Sequence, residues 1–467
     1  MSYLSIEFAL AFVGFFTVYW GCRRMPSMQN LLLLLASYLF YAKLDWRFAS
    51  ILAAYTLIQH GLSQRMAASA NPRRWLQASL ALAVGNLALF KYFDFFRESA
   101  QAGLNALGVT ALLPALDILM PVGISFYTFQ SVSYFVSVYR KEIKPAALPQ
   151  FALFLAFFPT LLAGPICRAG DLLEQLRSPA RRQVAQLDRA LGLIVLALLK
   201  KLWLAGWLAS AWVDPVFAAP DTFHTLEVWA AFYAYALQIY LDFSGYTDLV
   251  TALALLLGIQ LPRNFDAPYL ALNLRDFWRR WHISLSSWIR DYVYIPLGGN
   301  RNGFARGQIN LLAAMLLSGL WHGASLKYLV WGAMHGLGVV ALNVGDKLWH
   351  RDAVSGVSPW LARLITFHYV CLAWVFFRAQ SLDEAMDFLR AMFAPSGQEL
   401  TLNAPGLLLL LALWLAALPM LSSLPERCFG RLAGLPWWGK PLLLSAIALL
   451  VISLAPSGIP AFIYYQF

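Results

Sequence analysis

The chain has 467 residues, of which 60% are hydrophobic and only 13% are charged, and its mean hydropathy is +0.61. Soluble domains average about 25% charged residues, so this composition excludes an ordinary soluble protein and predicts an all-α polytopic membrane protein. The net charge of +11 does not indicate nucleic-acid binding, because excess Lys and Arg in a membrane protein mostly decorates cytoplasmic loops and anionic lipid surfaces.

Apolar runs follow one another from residues 4–21 to residues 440–455. Some are long enough to span a bilayer and others look re-entrant, which predicts roughly 10–12 membrane passages. No loop between the runs is long enough for a separate soluble domain, so we expect a single integral-membrane domain over residues 1–467. The four Cys residues are scattered without a CxxC pair, and we therefore expect neither a disulfide framework nor a metal site.

Basic residues occupy every second loop in the first third of the chain. Lys and Arg accumulate in cytoplasmic loops, so this alternation predicts that these loops are cytoplasmic and that the N-terminus lies outside. The basic loops carry Arg23-Arg24, then Arg65 with Arg73-Arg74, then Arg140-Lys141 with Lys144.

The apolar run over residues 226–258 contains two carboxylates, in the segment Tyr240-Leu-Asp-Phe-Ser-Gly-Tyr-Thr-Asp248. Charges inside a membrane helix are costly and need partners. We expect Asp242 and Asp248 to form structural ion pairs with the arginines of the segment that follows.

That following segment, residues 262–325, concentrates Arg, Asp and His in an otherwise apolar sequence. If residues 270–292 form one helix, its polar residues fall within roughly 80° of one another, away from an apolar stripe. This face would hold Arg275, Arg279, His282, Ser286 and Arg290. Such a cationic face would meet water, an anion or a cavity. The alternative is an interfacial helix whose arginines hold lipid head groups.

His322 follows the apolar run 311–320 and stands between Trp321 and Gly323. A His inside a membrane is a candidate functional residue, and the alternative is a lone His hydrogen-bonded to a helix carbonyl. The chain has no GxSxG elbow, no HExxH zinc site and no P-loop. What remains is a His able to act as a general base near cationic groups able to hold an anionic donor.

Three segments carry a resemblance to a known family: Asp276-Phe-Trp-Arg-Arg-Trp-His282, Ile295-Pro-Leu-Gly-Gly-Asn-Arg301 and Leu320-Trp-His322-Gly. Together they resemble the membrane-bound O-acyltransferases, and in particular the bacterial subgroup that O-acetylates polysaccharides such as alginate and cellulose. The resemblance runs over residues 1–380. It implies a ring of helices around a central tunnel, with a catalytic core at about residues 120–345. It further implies that His322 is catalytic and that His282 is the family's second His.

The reaction implied by this resemblance moves an acetyl group from a cytoplasmic donor, acetyl-CoA, across the inner membrane to an exported polysaccharide. His322 would take the proton of the acceptor hydroxyl, and no cofactor would be bound permanently. Arg275, Arg279 and Arg290 would hold the phosphates of the donor. The implied partners are the lipid bilayer, a periplasmic acetyltransferase or SGNH-hydrolase-like protein, and a polysaccharide-export complex.

Two other classes of function remain open at this point. In a transporter or channel the charged segment would line a permeation path, although the sequence shows no internal repeat. In a non-catalytic scaffold of an export complex the same segment would be structural. The Trp-His-Gly motif favours the acyltransferase.

Overall fold

The structure, a computed structural model, describes residues 3–109, 112–114, 118–184, 186–350, 356–394 and 398–456. Within these ranges every regular element is a helix, which confirms the predicted all-α class. The chain divides into two compact units: unit 1 comprises Met1–Ala190 and Val250–Pro262, and unit 2 comprises Leu191–Leu249 and Arg263–Phe467. The expected single domain over residues 1–467 stays a prediction.

Unit 1 begins with helices that start at prolines or at capping side chains. Pro26 and Pro72 each open a helix, where a missing N–H costs nothing. The Asp45 carboxylate caps the helix that follows it by accepting from the amide of Arg47 at 2.8 Å. The helices are α1 (Ile6–Gly21), α2 (Pro26–Leu44), α3 (Trp46–Ala68), α4 (Pro72–Lys91), α5 (Phe93–Ala106), α6 (Ile124–Tyr139), α7 (Leu148–Ala156), α8 (Phe158–Leu161) and α9 (Ala169–Arg177).

Two long helices and a series of shorter ones supply the remaining elements. The long ones are α10 (Leu187–Ala218), which contains π-helical turns at Leu199–Ala205 and Ala209–Val213, and α11 (Thr225–Leu256). The others are α12 (Leu274–Arg280), α13 (Ile283–Ile289), α14 (Phe304–His322), α15 (Leu326–Trp349), α16 (Pro359–Arg378), α17 (Leu382–Ala391), α18 (Ala404–Leu421), α19 (Leu424–Ala433) and α20 (Gly439–Leu454).

Among the described residues, five helices are long and apolar enough to cross a membrane: α10, α11, α15, α16 and α18. Helices α4 and α5 make a sixth candidate if they are counted as one span, although they meet at 69°. The structure therefore supports five or six candidate spans rather than the 10–12 passages predicted. Some predicted runs form helices too short to be counted by this criterion: the run 150–166 becomes α7 and α8, of 9 and 4 residues, and the number of passages stays a prediction. The ring around a tunnel stays a prediction.

Helices α14 and α15 form a closely packed hairpin in unit 2, because glycines line its contact. A Cβ atom at Gly319 would lie 2.2 Å from the carbonyl oxygen of Tyr328, and one at Gly332 would lie 2.5 Å from that of Met315. Small residues at such crossings let helix backbones approach closely in membranes. The hairpin sets the position of His322 at the end of α14.

Candidate active site

The segment predicted to form one helix over residues 270–292 is broken, and that prediction is wrong. Helix α12 ends at Arg280 and α13 begins at Ile283, while His282 between them adopts a left-handed conformation with φ 42°. The break has a clear cause in hydrogen bonding. The amide of Asp266 donates to the Arg280 carbonyl at 2.9 Å, and the Asn264 side chain accepts from the amide of Ser284 at 3.3 Å. These two bonds take the place of the helical hydrogen bond that the amide of Ser284 would otherwise donate to the carbonyl oxygen of Arg280.

The predicted cationic face is absent as a consequence, and its three arginines have separate environments. Arg275 pairs with Asp346 and donates to Asn343 on α15 at 3.0 Å. Arg290 is exposed and pairs with the adjacent Asp291 at 2.7 Å. Arg279 is exposed and forms no ion pair within the described part of the chain. Their role in holding a donor stays a prediction, to be tested residue by residue.

His322 is the last residue of α14, and only 3% of its surface is exposed. Its imidazole lies edge-on to three aromatic rings, with centroid distances of 4.6 Å to Trp321, 4.9 Å to Trp331 and 4.9 Å to Phe377. The following residue, Gly323, lets the Tyr328 ring pack directly against the backbone, since a Cβ there would clash with that ring at 2.3 Å. This environment excludes water from the imidazole.

His282 lies in the same aromatic cluster. Its ring centroid is 4.7 Å from that of Phe243 and 6.2 Å from that of Trp321, which also contacts His322. His282 lies outside the candidate membrane spans, and burial lowers the pKa of its imidazole to about 3, because the charged form loses its hydration. The structure therefore brings both predicted histidines within ring contact of one indole, that of Trp321, with His282 neutral.

A third histidine, His335 on α15, belongs to this cluster, and the sequence analysis gave it no role. It is completely buried, with ring centroids 4.9 Å from Trp331 and 5.0 Å from Trp278. In the described part of the chain, neither of its ring nitrogens has a hydrogen-bond partner, and the same is true of Trp331 Nε1. Buried polar atoms of this kind usually bind something. The sequence feature that could have indicated His335 is its position between Gly332 and Gly336 in an apolar helix.

Two ion pairs join α10 to α11 within unit 2. Lys201 pairs with Asp242, and both side chains are only 4% exposed. Lys200 pairs with Asp248 at 2.7 Å. The expectation that these aspartates pair with the arginines of residues 270–292 is therefore wrong, although their ion-pairing role is confirmed. A Cβ at Gly245 would lie 3.1 Å from Lys200 Cβ, so this glycine allows the helices to approach. Both lysines lie in the π-helical turn Leu199–Ala205, and such turns are frequent at functional sites.

Comparison with known proteins identifies the family of the chain that carries this cluster. The model of the MBOAT, membrane-bound O-acyltransferase, family matches residues 109–382, which include all three histidines. A protein of Azotobacter vinelandii named probable alginate O-acetylase AlgI is 38% identical over 372 residues, covering 78% of this chain and 73% of its own length.

Two further relatives are named for different activities. A peptidoglycan O-acetyltransferase of Helicobacter pylori is 33% identical over 423 residues, covering 84% of this chain and 78% of its own length. A teichoic acid D-alanyltransferase of Streptococcus thermophilus is 30% identical over 282 residues, covering 55% of this chain and 68% of its own. The chain therefore belongs to the MBOAT, membrane-bound O-acyltransferase, family and is a multi-pass membrane acyltransferase.

Proposed function

We propose that the protein transfers acetyl groups from cytoplasmic acetyl-CoA across the inner membrane for O-acetylation of an exported polysaccharide such as alginate or cellulose. The names of the alginate and peptidoglycan relatives support an acetyl group and a glycan acceptor. The D-alanyltransferase supports a different acyl group, but it covers only 55% of this chain. We also propose that a periplasmic acetyltransferase partner and a polysaccharide-export complex complete the transfer.

The observation that carries this proposal is the buried imidazole of His322 among aromatic rings. The hydroxyl of the immediate acceptor is a poor nucleophile at neutral pH, and a general base that takes its proton accelerates the attack by about 10²–10⁴. The hydroxyl oxygen bonds to the thioester carbonyl carbon, and His322 takes the hydroxyl proton. The carbon–sulfur bond then breaks, and the proton passes from His322 to the departing thiolate. Exclusion of water around His322 limits wasteful hydrolysis of the donor.

The proposal is tested by incubating the purified protein in lipid nanodiscs with the periplasmic partner, acetyl-CoA and a soluble oligosaccharide acceptor. We expect release of free thiol that depends on the acceptor, together with O-acetyl ester on the oligosaccharide. A transporter or a scaffold would consume no thioester under these conditions. Absence of acceptor-dependent thiol release, in protein that remains monodisperse and with the periplasmic partner supplied, would contradict the proposed function.

Among the three arginines proposed to hold the donor, Arg279 is the one we expect to contribute most, because it is exposed and forms no ion pair within the described residues. The Arg279→Lys substitution keeps the charge but removes the forked pair of hydrogen bonds that suits a phosphate. We expect KM for acetyl-CoA to rise about three- to tenfold with little change in kcat. Arg390→Lys is the matched control, since Arg390 is exposed, is not among the arginines proposed to hold the donor, and pairs with Asp387. An unchanged KM in Arg279→Lys would remove Arg279 from the donor site.

We propose that His282 acts in turnover rather than in binding the donor. Its neutral ring shares Trp321 with His322, which suits a group that orients the reacting atoms. We expect His282→Ala to lower kcat at least about tenfold with an unchanged KM for acetyl-CoA. The measurement is a donor titration of initial thiol-release rates. A rise in KM with an unchanged kcat would instead assign His282 to donor binding.

A further inference from the structure

Unit 1 contains a cavity of about 470 Å³ whose lining is strongly basic. It opens where α1 ends, between the turn that leads into α2 and the loop that follows α9. The lining includes Trp20 and four arginines, and none of the described residues that line it is acidic. The arginines are Arg23, Arg24, Arg181 and Arg182. We refer to it as the four-arginine cavity.

One of the four guanidinium groups is held in place by the fold. Arg182 donates to the hydroxyl of Tyr19 at 3.1 Å and to the side-chain oxygen of Asn30 at 2.6 Å. Tyr19 in turn donates to the carbonyl oxygen of Leu257 at 2.8 Å, and a Cβ at Gly258 would lie 3.0 Å from Arg182 Cβ. The wall of the cavity is thus a network of hydrogen bonds and close packing, with Arg182 pre-positioned in it.

The other three arginines keep their charges available. Arg23, Arg24 and Arg181 are exposed, and none of them forms an ion pair within the ranges that the structure describes. Four like charges around one small cavity repel one another, and a bound anion relieves this repulsion. The Arg fork matches the geometry of phosphate oxygens. Trp20, anchored by a 3.1 Å hydrogen bond to the carbonyl oxygen of Leu256, is of the residue type that favours the membrane–water interface.

We propose that the four-arginine cavity binds a phosphate-bearing anion with more than one negative charge. Two sources offer this chemistry: the head group of an anionic lipid such as cardiolipin, and a soluble polyphosphate that reaches the cytoplasmic surface. Basic pockets at the cytoplasmic ends of membrane helices favour lipid head groups, and the basic-loop pattern predicts that Arg23 and Arg24 are cytoplasmic. The site is independent of the acetyl transfer proposed at His322.

The test uses the full-length protein in nanodiscs, a matched pair of double variants and the single variant Arg181→Gln. Arg23→Gln/Arg24→Gln removes two charges from the cavity. Arg73→Gln/Arg74→Gln removes two exposed charges from the start of α4, outside the cavity lining. One arm measures cardiolipin retained by the protein in discs of phosphatidylcholine with cardiolipin. The other measures binding of inorganic pyrophosphate in discs of phosphatidylcholine alone.

We expect affinity for the bound anion to fall about twentyfold in the Arg23→Gln/Arg24→Gln variant and about fivefold in Arg181→Gln, with less than about a twofold change in the control. A selective loss of cardiolipin identifies a lipid head group as the ligand, and a selective loss of pyrophosphate binding identifies a soluble polyphosphate. Either result supports the site. Equal losses in the cavity and control variants, or no binding by the unmodified protein in either arm, would overturn it.

Discussion

Replacing His322 with Ala is expected to lower acetyl transfer at least about 100-fold while leaving the abundance and membrane insertion of the protein unchanged. The reason is chemical, since the substitution removes the group that accepts the proton of the attacking hydroxyl. His322→Asn keeps a side chain of similar size and polarity but offers no general base, so we expect the same loss. The measurement is acceptor-dependent thiol release per mole of protein, with the O-acetyl content of the polymer as a second readout.

The matched control for His322 is His368 on α16. Its ring contacts Trp229 rather than the cluster around His322, and it forms a 2.9 Å hydrogen bond with Tyr233. We expect His368→Ala to keep most of the activity. If a His322 variant retained more than about a tenth of the unmodified rate, the imidazole would not be the general base, because the smallest expected contribution of such a group is about 10².

The second large effect is expected at the buried ion pair, where Lys201→Met should destabilise the protein by about 3–5 kcal/mol. The substitution keeps the length of the side chain but leaves the carboxylate of Asp242, which is 4% exposed, without its ammonium partner. Breaking a buried pair costs more than replacing both partners, because an uncompensated charge loses its hydration. The measurement is the unfolding of purified protein in a denaturing detergent titration.

Two further variants separate the ion pair from a general effect of substitution. Lys201→Met combined with Asp242→Leu removes both charges, so we expect most of the stability to return. Lys200→Met should cost less than Lys201→Met, because the Lys200 and Asp248 side chains are 16% and 20% exposed and remain partly hydrated. A double variant no more stable than Lys201→Met would show that the loss arises from packing rather than from the charge of Asp242.

Several features of this protein were determined by its sequence alone. With a mean hydropathy of +0.61, the chain has more apolar surface than a soluble fold could bury, so composition predicts a membrane protein. A chain in the membrane must satisfy its backbone hydrogen bonds internally, which favours helices. The family follows from local motifs, because the residues of such a motif, for example Trp321, His322 and Gly323, are adjacent in the chain. The histidines at 282 and 322 were therefore recognisable without a structure.

Only the tertiary structure decided how residues distant in the chain meet. Helical periodicity predicted one helix over residues 270–292, but Asn264 breaks it through hydrogen bonds to Ser284, 20 positions away. Hydropathy marked Asp242 as needing a partner, but Lys201 lies 41 positions away, and an arginine of the next segment was an equally good partner on charge alone. Periodicity and composition describe neighbours along the chain, whereas hydrogen bonds and ion pairs depend on distances in space, which packing sets.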